Sequence, residues 1–274
     1  MPPNSLGIVA LIALNILESF GLAGLARESA ANYHLQIEAM KLAFADARRY
    51  VADPAHVTVP VHELLSKAYA EERRRLIGEK ANIPEASHPR PGGTACLCTA
   101  DGEGMMVSLI ESVYSNFGSG IVVPGTGIAL QNRGSGFTLE AGHPNVLAPG
   151  KRPRHTLLPG FLTREGQAIG PFGVMGGHMQ PQGHVQMVVN TVDYGLDPQE
   201  ALDAPRWFWW DERYVKVEPA VEATVVEGLQ ARGHEVDVDP DVDVFGCGQA
   251  IWRQPSGVYV AGSDGRTDGC ALGY

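Results

Sequence analysis

Thr94 has the setting that most invites chemistry. It follows Gly92-Gly93 directly and opens a run of alternating apolar and polar residues. The segment before it, 78–93, carries Pro84, Pro89 and Pro91 and reads as an exposed linker, where backbone cleavage is tolerated. A cut at Gly93–Thr94 would make Thr94 an N-terminal residue, with its hydroxyl as nucleophile and its own α-amine as base. An α-amine with an ordinary pKa of roughly 7.7–8.0 suits general-base work near neutral pH. A threonine that opens a strand after Gly-Gly is ordinarily only a strand residue, so the spacing alone leaves both readings open. Gly176-Gly177 reads on sequence alone as an ordinary tight turn.

Other groupings carry less. Cys96 and Cys98 share a face if they lie in a strand, but no supporting metal ligands accompany them, and they read as inert, buried thiols. His178 and His184 flank Gln180-Pro181-Gln182, and Pro181 breaks any regular zinc-ligand spacing. Asp264 and Asp268 sit in a glycine-rich terminal loop, where nothing supports calcium over an ordinary turn. Trp207, Phe208, Trp209 and Trp210 follow Pro205 and read as core or interface packing.

The elements that must hold Thr94 fall into two regimes. Before the linker the pattern is helical: 7–18 as a buried helix, then 30–51 with Leu35, Ile37, Met40, Phe44, Ala47 and Tyr50 mostly at three- and four-residue steps. Asp53-Pro54 stops the second helix. A third is expected over 61–77, with Glu71, Glu72 and Arg73 to Arg75 as a solvated face. After Gly93 the pattern turns to strands. Residues 94–100 and 105–113 form a hairpin around Asp101-Gly102-Glu103-Gly104, and 117–136 are glycine-rich loops. Strands at 156–163 and 168–172 are followed by helices at 181–194, 198–203 and 219–231, and strands at 234–239, 248–253 and 257–262 close the chain. Strands followed by helices and then strands again point to a layered sandwich.

The chain has 274 residues, 44% of them hydrophobic and 19% charged, with 33 glycines and a formal net charge of −10. It can therefore build a substantial core, and its acidity argues against a nucleic-acid partner, which wants a basic stripe. The apolar run Leu6–Leu14 has no basic region before it and is too short to span a bilayer, so no membrane segment is expected. No export signal is visible, which favours a cytoplasmic location for the chain as it begins here.

Several segments closely resemble the gamma-glutamyltransferase (gamma-glutamyltranspeptidase) family. Phe117-Gly118-Ser119-Gly120-Ile121-Val122-Val123-Pro124-Gly125-Thr126-Gly127-Ile128 carries the resemblance best. Met1-Pro2-Pro3-Asn4-Ser5, His34 through Pro54, Ala148-Pro149-Gly150-Lys151-Arg152-Pro153, Gly173 to Gly177 and Gly262 to Gly269 extend it over essentially the whole chain. The resemblance implies an α+β fold, the four-layer αββα sandwich of N-terminal-nucleophile (Ntn) hydrolases. It also implies a proenzyme that cuts itself before a threonine. Here that gives 1–93 as the end of a large-subunit region and 94–274 as the small catalytic subunit. The family's large subunit is much longer, so the sandwich is expected to be incomplete at its N-terminus. No cofactor or metal is implied. The expected partners are a small-molecule amide substrate and the other subunit of a large/small heterodimer, with pairing of two heterodimers as a further option.

The resemblance assigns catalytic roles residue by residue. Thr94 matches the nucleophile, although the usual Thr-Thr-His reads Thr94-Ala95-Cys96. Ser112 stands where a second threonine bonds the nucleophile, and keeps the hydroxyl. Gly176 and Gly177 match the oxyanion pair. The substrate-binding positions depart from the pattern. Gly136 replaces an aspartate that holds the substrate ammonium, Tyr114 replaces an asparagine, and His155-Thr156 replace paired serines. Arg133 offers a fork for a carboxylate or amide carbonyl, or is simply a surface arginine. Glutathione is thus a doubtful substrate; an amide with an acidic, amine-free acyl group, hydrolysed by water, is the expectation. The contrasting expectation is a truncated or inactive family member with only a structural or assembly role.

Overall fold

The computed structural model describes residues 2–83 and 93–274. The linker residues 84–92 lie outside the described residues. Helix α1 (Gly7–Leu17) is apolar nearly all round and is correspondingly buried. Helix α2 (Ala30–Tyr50) starts at Ser29, whose side chain accepts from the Asn32 N–H, and ends with Arg48 and Arg49 in its last turn. The expected single helix over 61–77 is instead two, α3 (Val61–Leu64) and α4 (Lys67–Arg74). The break falls at Ser66, which caps α4 by accepting from Tyr69 N–H. The charge run there is not wholly a solvated face: Arg73 reaches back to the buried Asp46 on α2. Among the described residues, no helix is long and apolar enough to cross a membrane.

A buried polar cluster joins α2 to residues 78–82, the start of the linker. Lys41 Nζ donates to Glu38 Oε1 at 2.8 Å and to the Asn82 carbonyl at 3.0 Å, while Asn82 N–H donates to Glu38 Oε2 at 3.0 Å. His34 Nε2–H donates to the Gly78 carbonyl at 2.9 Å, so its Nδ1 is bare and accepts from His234 Nε2–H at 2.8 Å. His34, Glu38 and His234 are close enough together to suggest a metal site. The atoms that face one another there are already engaged, however: His34 Nδ1 accepts from His234, both Glu38 oxygens accept from Lys41 and Asn82, and Lys41 supplies the balancing charge.

The elements after the linker follow the expected order with shifted bounds. Strands β1 (Gly93–Ala100) and β2 (Met106–Tyr114) form an antiparallel hairpin. Asp101 Oδ1 closes its turn by accepting from Glu103 and Met105 N–H. Strand β3 (Gly160–Arg164) starts four residues later than expected and pairs with β4 (Gln167–Val174). Thr156 to Pro159 are held otherwise, with Leu158 N–H donating to the Gln180 side chain. Helices α5 (Met179–Val192) and α6 (Pro198–Asp203) come next. Strands β5 (Trp207–Asp211) and β6 (Tyr214–Val217) were not expected as strands. Helix α7 (Ala223–Ala231) begins four residues late, and β7 (Glu235–Val238), β8 (Gly248–Arg253) and β9 (Tyr259–Ser263) complete the chain.

Three sheets result: β1-β2, β3-β4-β8-β9 and β5-β6-β7. The hairpin lies face to face on β4 and β8, and α5 and α6 cover the opposite face of that sheet. Phe172, Val174, Met187, Leu202, Ala250 and Trp252 fill the space under the helices. The outward face of the hairpin is bare among the described residues: Leu97 is 54% and Leu109 47% exposed.

Helix α5 also closes the edge of the third sheet with side-chain amides. Gln182 exchanges two hydrogen bonds with the Trp209 backbone, at 2.8 and 3.1 Å, and Gln186 does the same with Trp207, at 3.2 and 3.0 Å. Glutamines four apart on a helix share a face, and alternate residues of a strand present the same edge, so the two periods match. The otherwise open edge of β5 is thereby satisfied.

His184, on α5, accepts from Val174 N–H through Nε2 at 3.1 Å and packs on the Phe172 ring. Burial lowers its pKa from 6.5 to about 3, and burial followed by the charge of Lys41 lowers that of His234 to about 3. Both imidazoles are neutral when folded, and the unfolded chain binds more protons between those values. Stability is therefore full above about pH 6.5 and falls as pH drops toward 3. Melting curves from pH 7.5 to 4 are expected to show this loss, with a shallower slope in His184→Gln, whose side-chain oxygen can still accept from Val174.

Candidate active site

Thr94 sits on β1 at a register irregularity. Gly93 pairs with Tyr114 and Ala95 with Glu111, so Thr94 faces Ser112 and Val113 across a bulge. Alternate residues of the hairpin face the larger sheet, and Thr94, Cys96, Cys98, Ser108, Ile110 and Ser112 are all on that side. Ser108 Oγ donates to the Phe172 carbonyl at 2.8 Å, and Cys98 Sγ to the Gln249 carbonyl at 3.5 Å. One pair further along, Cys96 lies directly over Gly173; a Cβ there would meet its sulfur at 2.5 Å. The next step in the same direction is Thr94 and Ser112, level with the end of β4, where Met175-Gly176-Gly177 leaves the sheet. The register thus brings both hydroxyls and the glycine turn to one end of the two facing sheets. Cys96 and Cys98 are partly buried within that interface rather than at its reactive end.

The glycine turn requires glycine. Gly176 has φ +117° and Gly177 φ +61°. A Cβ on Gly176 would lie 3.1 Å from Gly246 Cα and from Met179 Cβ. The turn carbonyls accept from Met179 and Gln180 N–H as α5 begins, and among the described residues neither glycine N–H meets an acceptor.

The turn is backed by a buried ionic network. Met175 N–H donates to the Cys247 carbonyl at 2.8 Å. Arg206 Nη1 donates to the carbonyls of Phe245 and Gly246 at 3.1 and 2.7 Å, and its Nη2 to Asp264 Oδ2 at 2.7 Å. Arg266 pairs with Glu218 and with Asp264 Oδ1. Asp264 is therefore spent on two arginines and on Gly248 N–H, which removes it as a calcium ligand. Removing one partner of such a buried pair leaves an uncompensated charge, at a cost of roughly 3–5 kcal/mol.

Tyr114, Arg133, His155 and Thr156 line one cavity of about 240 Å³, and His178, next to Gly177, joins them. Tyr114 ends β2 with φ +81°, and its N–H donates to Ser112 Oγ at 2.8 Å. The guanidinium of Arg133 lies 5.3 Å from the Tyr114 ring centroid, and Nη2 donates to the Ser112 carbonyl at 3.4 Å. Arg133 is only 8% exposed and so is not a surface arginine; its Nη1 is buried without a hydrogen-bond partner.

The segment 153–157 is fixed by the N-terminal motif. Asn4 Nδ2 donates to the Pro153 carbonyl and Ser5 Oγ to the Leu157 carbonyl, each at 2.6 Å, and Leu6 N–H donates to the His155 carbonyl at 2.8 Å. His155 Nδ1 accepts from Leu157 N–H at 3.2 Å, which leaves Nε2–H as a donor. Burial, then the charges of Arg133 and Arg152, lower its pKa to about 4, so it is neutral at pH 7.

Gly136 has a steric reason of its own. A Cβ would lie 2.8 Å from the Arg154 carbonyl oxygen, so no aspartate fits without moving that segment. Asn145 bridges the two segments, donating to the Gly136 carbonyl at 2.6 Å and accepting from Arg154 N–H at 3.2 Å. Arg48, Asn145, Arg154 and His178 line the same cavity and were not singled out from the sequence. Arg154 directly precedes His155-Thr156, the one local signal that could have flagged it.

A hairpin packed face to face on a second sheet, with helices on that sheet's far side, is the α+β architecture of Ntn hydrolases. The chain superposes on the crystal structure of a cephalosporin acylase from Bacillus halodurans with a TM-score of 0.93 and 53% identity, over 100% of this chain and 51% of that one. It is 39% identical to a glutathione hydrolase-like YwrD proenzyme of Bacillus subtilis, over 99% of this chain and 53% of that protein. It is also 34% identical to an oxamate amidohydrolase proenzyme of Klebsiella pneumoniae, over 100% of this chain and 53% of that protein. Residues 1–274 match the gamma-glutamyltranspeptidase family throughout, and the chain belongs to that family. It spans about half the length of the curated relatives it matches.

Proposed function

We propose that this protein is a self-processing amide hydrolase with Thr94 as its nucleophile. Cleavage of Gly93–Thr94 frees the Thr94 α-amine. That amine takes the hydroxyl proton as the oxygen attacks the substrate carbonyl, and the resulting oxyanion is held by the N–H groups of Gly176 and Gly177. Collapse of the tetrahedral intermediate breaks the C–N bond, and the proton passes to the leaving amine. Water then cleaves the acyl-threonine ester. Ser112, on the same inner face, holds the Thr94 hydroxyl. The working unit is residues 94–274 together with a large-subunit fragment of the same precursor. The proenzyme names of the relatives and the bare outer face of the β1-β2 hairpin support that assembly.

The observation that carries this reading is the convergence of Thr94, Ser112 and Gly176-Gly177 at one end of two facing sheets. The chemistry of the cavity supports an acidic, amine-free acyl group. It offers Arg133 with an unspent buried donor, and it has no room for an aspartate at position 136. The test is hydrolysis of glutaryl against γ-glutamyl 4-nitroanilide, which differ only by the α-amino group. The glutaryl compound is expected to have the higher kcat/KM by about tenfold or more, the scale of one charge-assisted contact. A preference for the γ-glutamyl compound would contradict the acyl assignment. The bare hairpin face also suits a second reading, a non-catalytic assembly subunit; release of 4-nitroaniline that depends on Thr94 excludes it.

A further inference from the structure

Arg133 is not the only unbalanced cation in the cavity. Arg154 and Arg48 line it as well, on the side formed by the end of α2. Arg154 is fixed at both ends. Its backbone N–H is held by Asn145, and its Nη1 donates to the Ala47 carbonyl at 3.2 Å, one residue from Arg48. Burial and then the like charge of Arg48 lower the Arg154 pKa to about 10, so the two guanidinium groups lie within electrostatic reach of each other.

The other arginines that anchor the fold meet carboxylates: Arg73 with Asp46, Arg152 with Asp53, Arg206 with Asp264 and Arg266 with Glu218. Among the described residues, Arg48, Arg133 and Arg154 form no ion pair, although the chain carries a net charge of −10. The one carboxylate lining the cavity, Glu140, is exposed. Arg133 is buried and Arg154 half-buried, whereas Arg48 is exposed and adds its charge from the end of α2. Burying cations without counter-charges destabilises a fold, so the counter-charge of Arg133 and Arg154 is best sought in a ligand. Arg133 and the Arg48–Arg154 pair belong to different elements, with Gly136 packed on the Arg154 backbone between them.

We propose that Arg48 and Arg154 form a second anion subsite, distinct from Arg133, and that the preferred substrate is an amide bearing two anionic groups. This rests on the cavity being the substrate pocket of the amide hydrolase proposed above. His155, next to Arg154 in sequence and lining the same cavity, adds an N–H donor and is neutral at pH 7. A cavity of about 240 Å³ limits the occupant to a short acyl chain with part of its leaving group.

The experiment is calorimetric titration of Thr94→Ala, so that binding is read without turnover, with three anilides. Glutaryl 4-nitroanilide carries one carboxylate. Glutaryl 3-carboxy-4-nitroanilide adds a second on the leaving group, and the 3-carboxyglutaryl 4-nitroanilide adds it on the acyl chain. One of the two dianions is expected to bind about tenfold or more tightly than the monoanion, and which one does so says where the second anion belongs. Within Arg48→Gln and within Arg154→Leu that ratio should collapse toward one, and Arg154→Lys should restore part of it; melting curves confirm that each variant is folded. Equal affinity for all three anilides, or a dianion preference that survives both arginine substitutions, overturns the subsite. Failure of the hydrolytic reading shows separately, as a wild-type protein that binds the anilides but releases no 4-nitroaniline.

Discussion

Replacing Thr94 with alanine is expected to lower amide turnover by about 10⁴-fold or more, the scale on which removal of a nucleophile acts when the rest of a catalytic unit stays in place. The size follows from what one residue supplies. Under the proposed mechanism Thr94 provides both the attacking oxygen and, through its α-amine, the base, and no neighbour duplicates either. Ser112 is on the same inner face, but it lies within β2 and has no free amine to act with. Its oxygen also accepts from Tyr114 N–H. Thr94→Ser should therefore retain far more activity than Thr94→Ala, since it preserves hydroxyl and amine and loses only a methyl group. Initial rates of 4-nitroaniline release for the three proteins check this. Equal losses in the serine and alanine variants would point to a packing role for the threonine methyl instead.

Gly176→Val is the second large effect. The substitution fails on two independent counts. At φ +117° a β-branched residue is strained, and its Cβ would press on Gly246 Cα and Met179 Cβ at 3.1 Å. Neither neighbour gives way easily. Gly246 is held by the Arg206 contact to its carbonyl, and Met179 is fully buried at the start of α5. The turn must rotate, and its two N–H groups then leave the proposed oxyanion position. Loss of one such donor costs about 10²–10³ in kcat. The expected result is a kcat fall on that scale with KM little changed, because the donors act on the transition state and not on the bound amide. A KM rise at constant kcat would assign the turn to substrate binding.

How much of this was legible beforehand depends on the range of the physics involved. The helices over 7–17 and 30–50 and the 93–114 hairpin were legible because their periodicity is local. The break at Ser66 was missed because a cap competing with helix continuation leaves only a weak mark inside a charged stretch. Strand β5 was hidden for a different reason. Trp207 to Trp209 are buried on both faces, so no alternation marks them as a strand. Its edge partners are glutamine side chains of α5, which no strand pattern anticipates.

The site shows the same division. Thr94, Ser112 and Gly176-Gly177 could be named because motif resemblance carries a residue to its role. The departure at Gly136 was legible too, but its cause, the Arg154 carbonyl behind it, was not. Arg48 and Arg154 meet only through tertiary structure. Nothing in the local sequence at either position distinguishes a cavity-lining arginine from a surface one, and Arg133 itself was open to that bland reading until its burial was seen.

The most direct test of the central claim is the intact mass of the expressed protein under denaturing conditions, measured beside Thr94→Ala. The proposed mechanism predicts two fragments meeting between Gly93 and Thr94 in the active protein, and a single uncut chain in the variant. A wild-type protein that hydrolyses amides while remaining in one piece would contradict it, because its α-amine base would never have been formed.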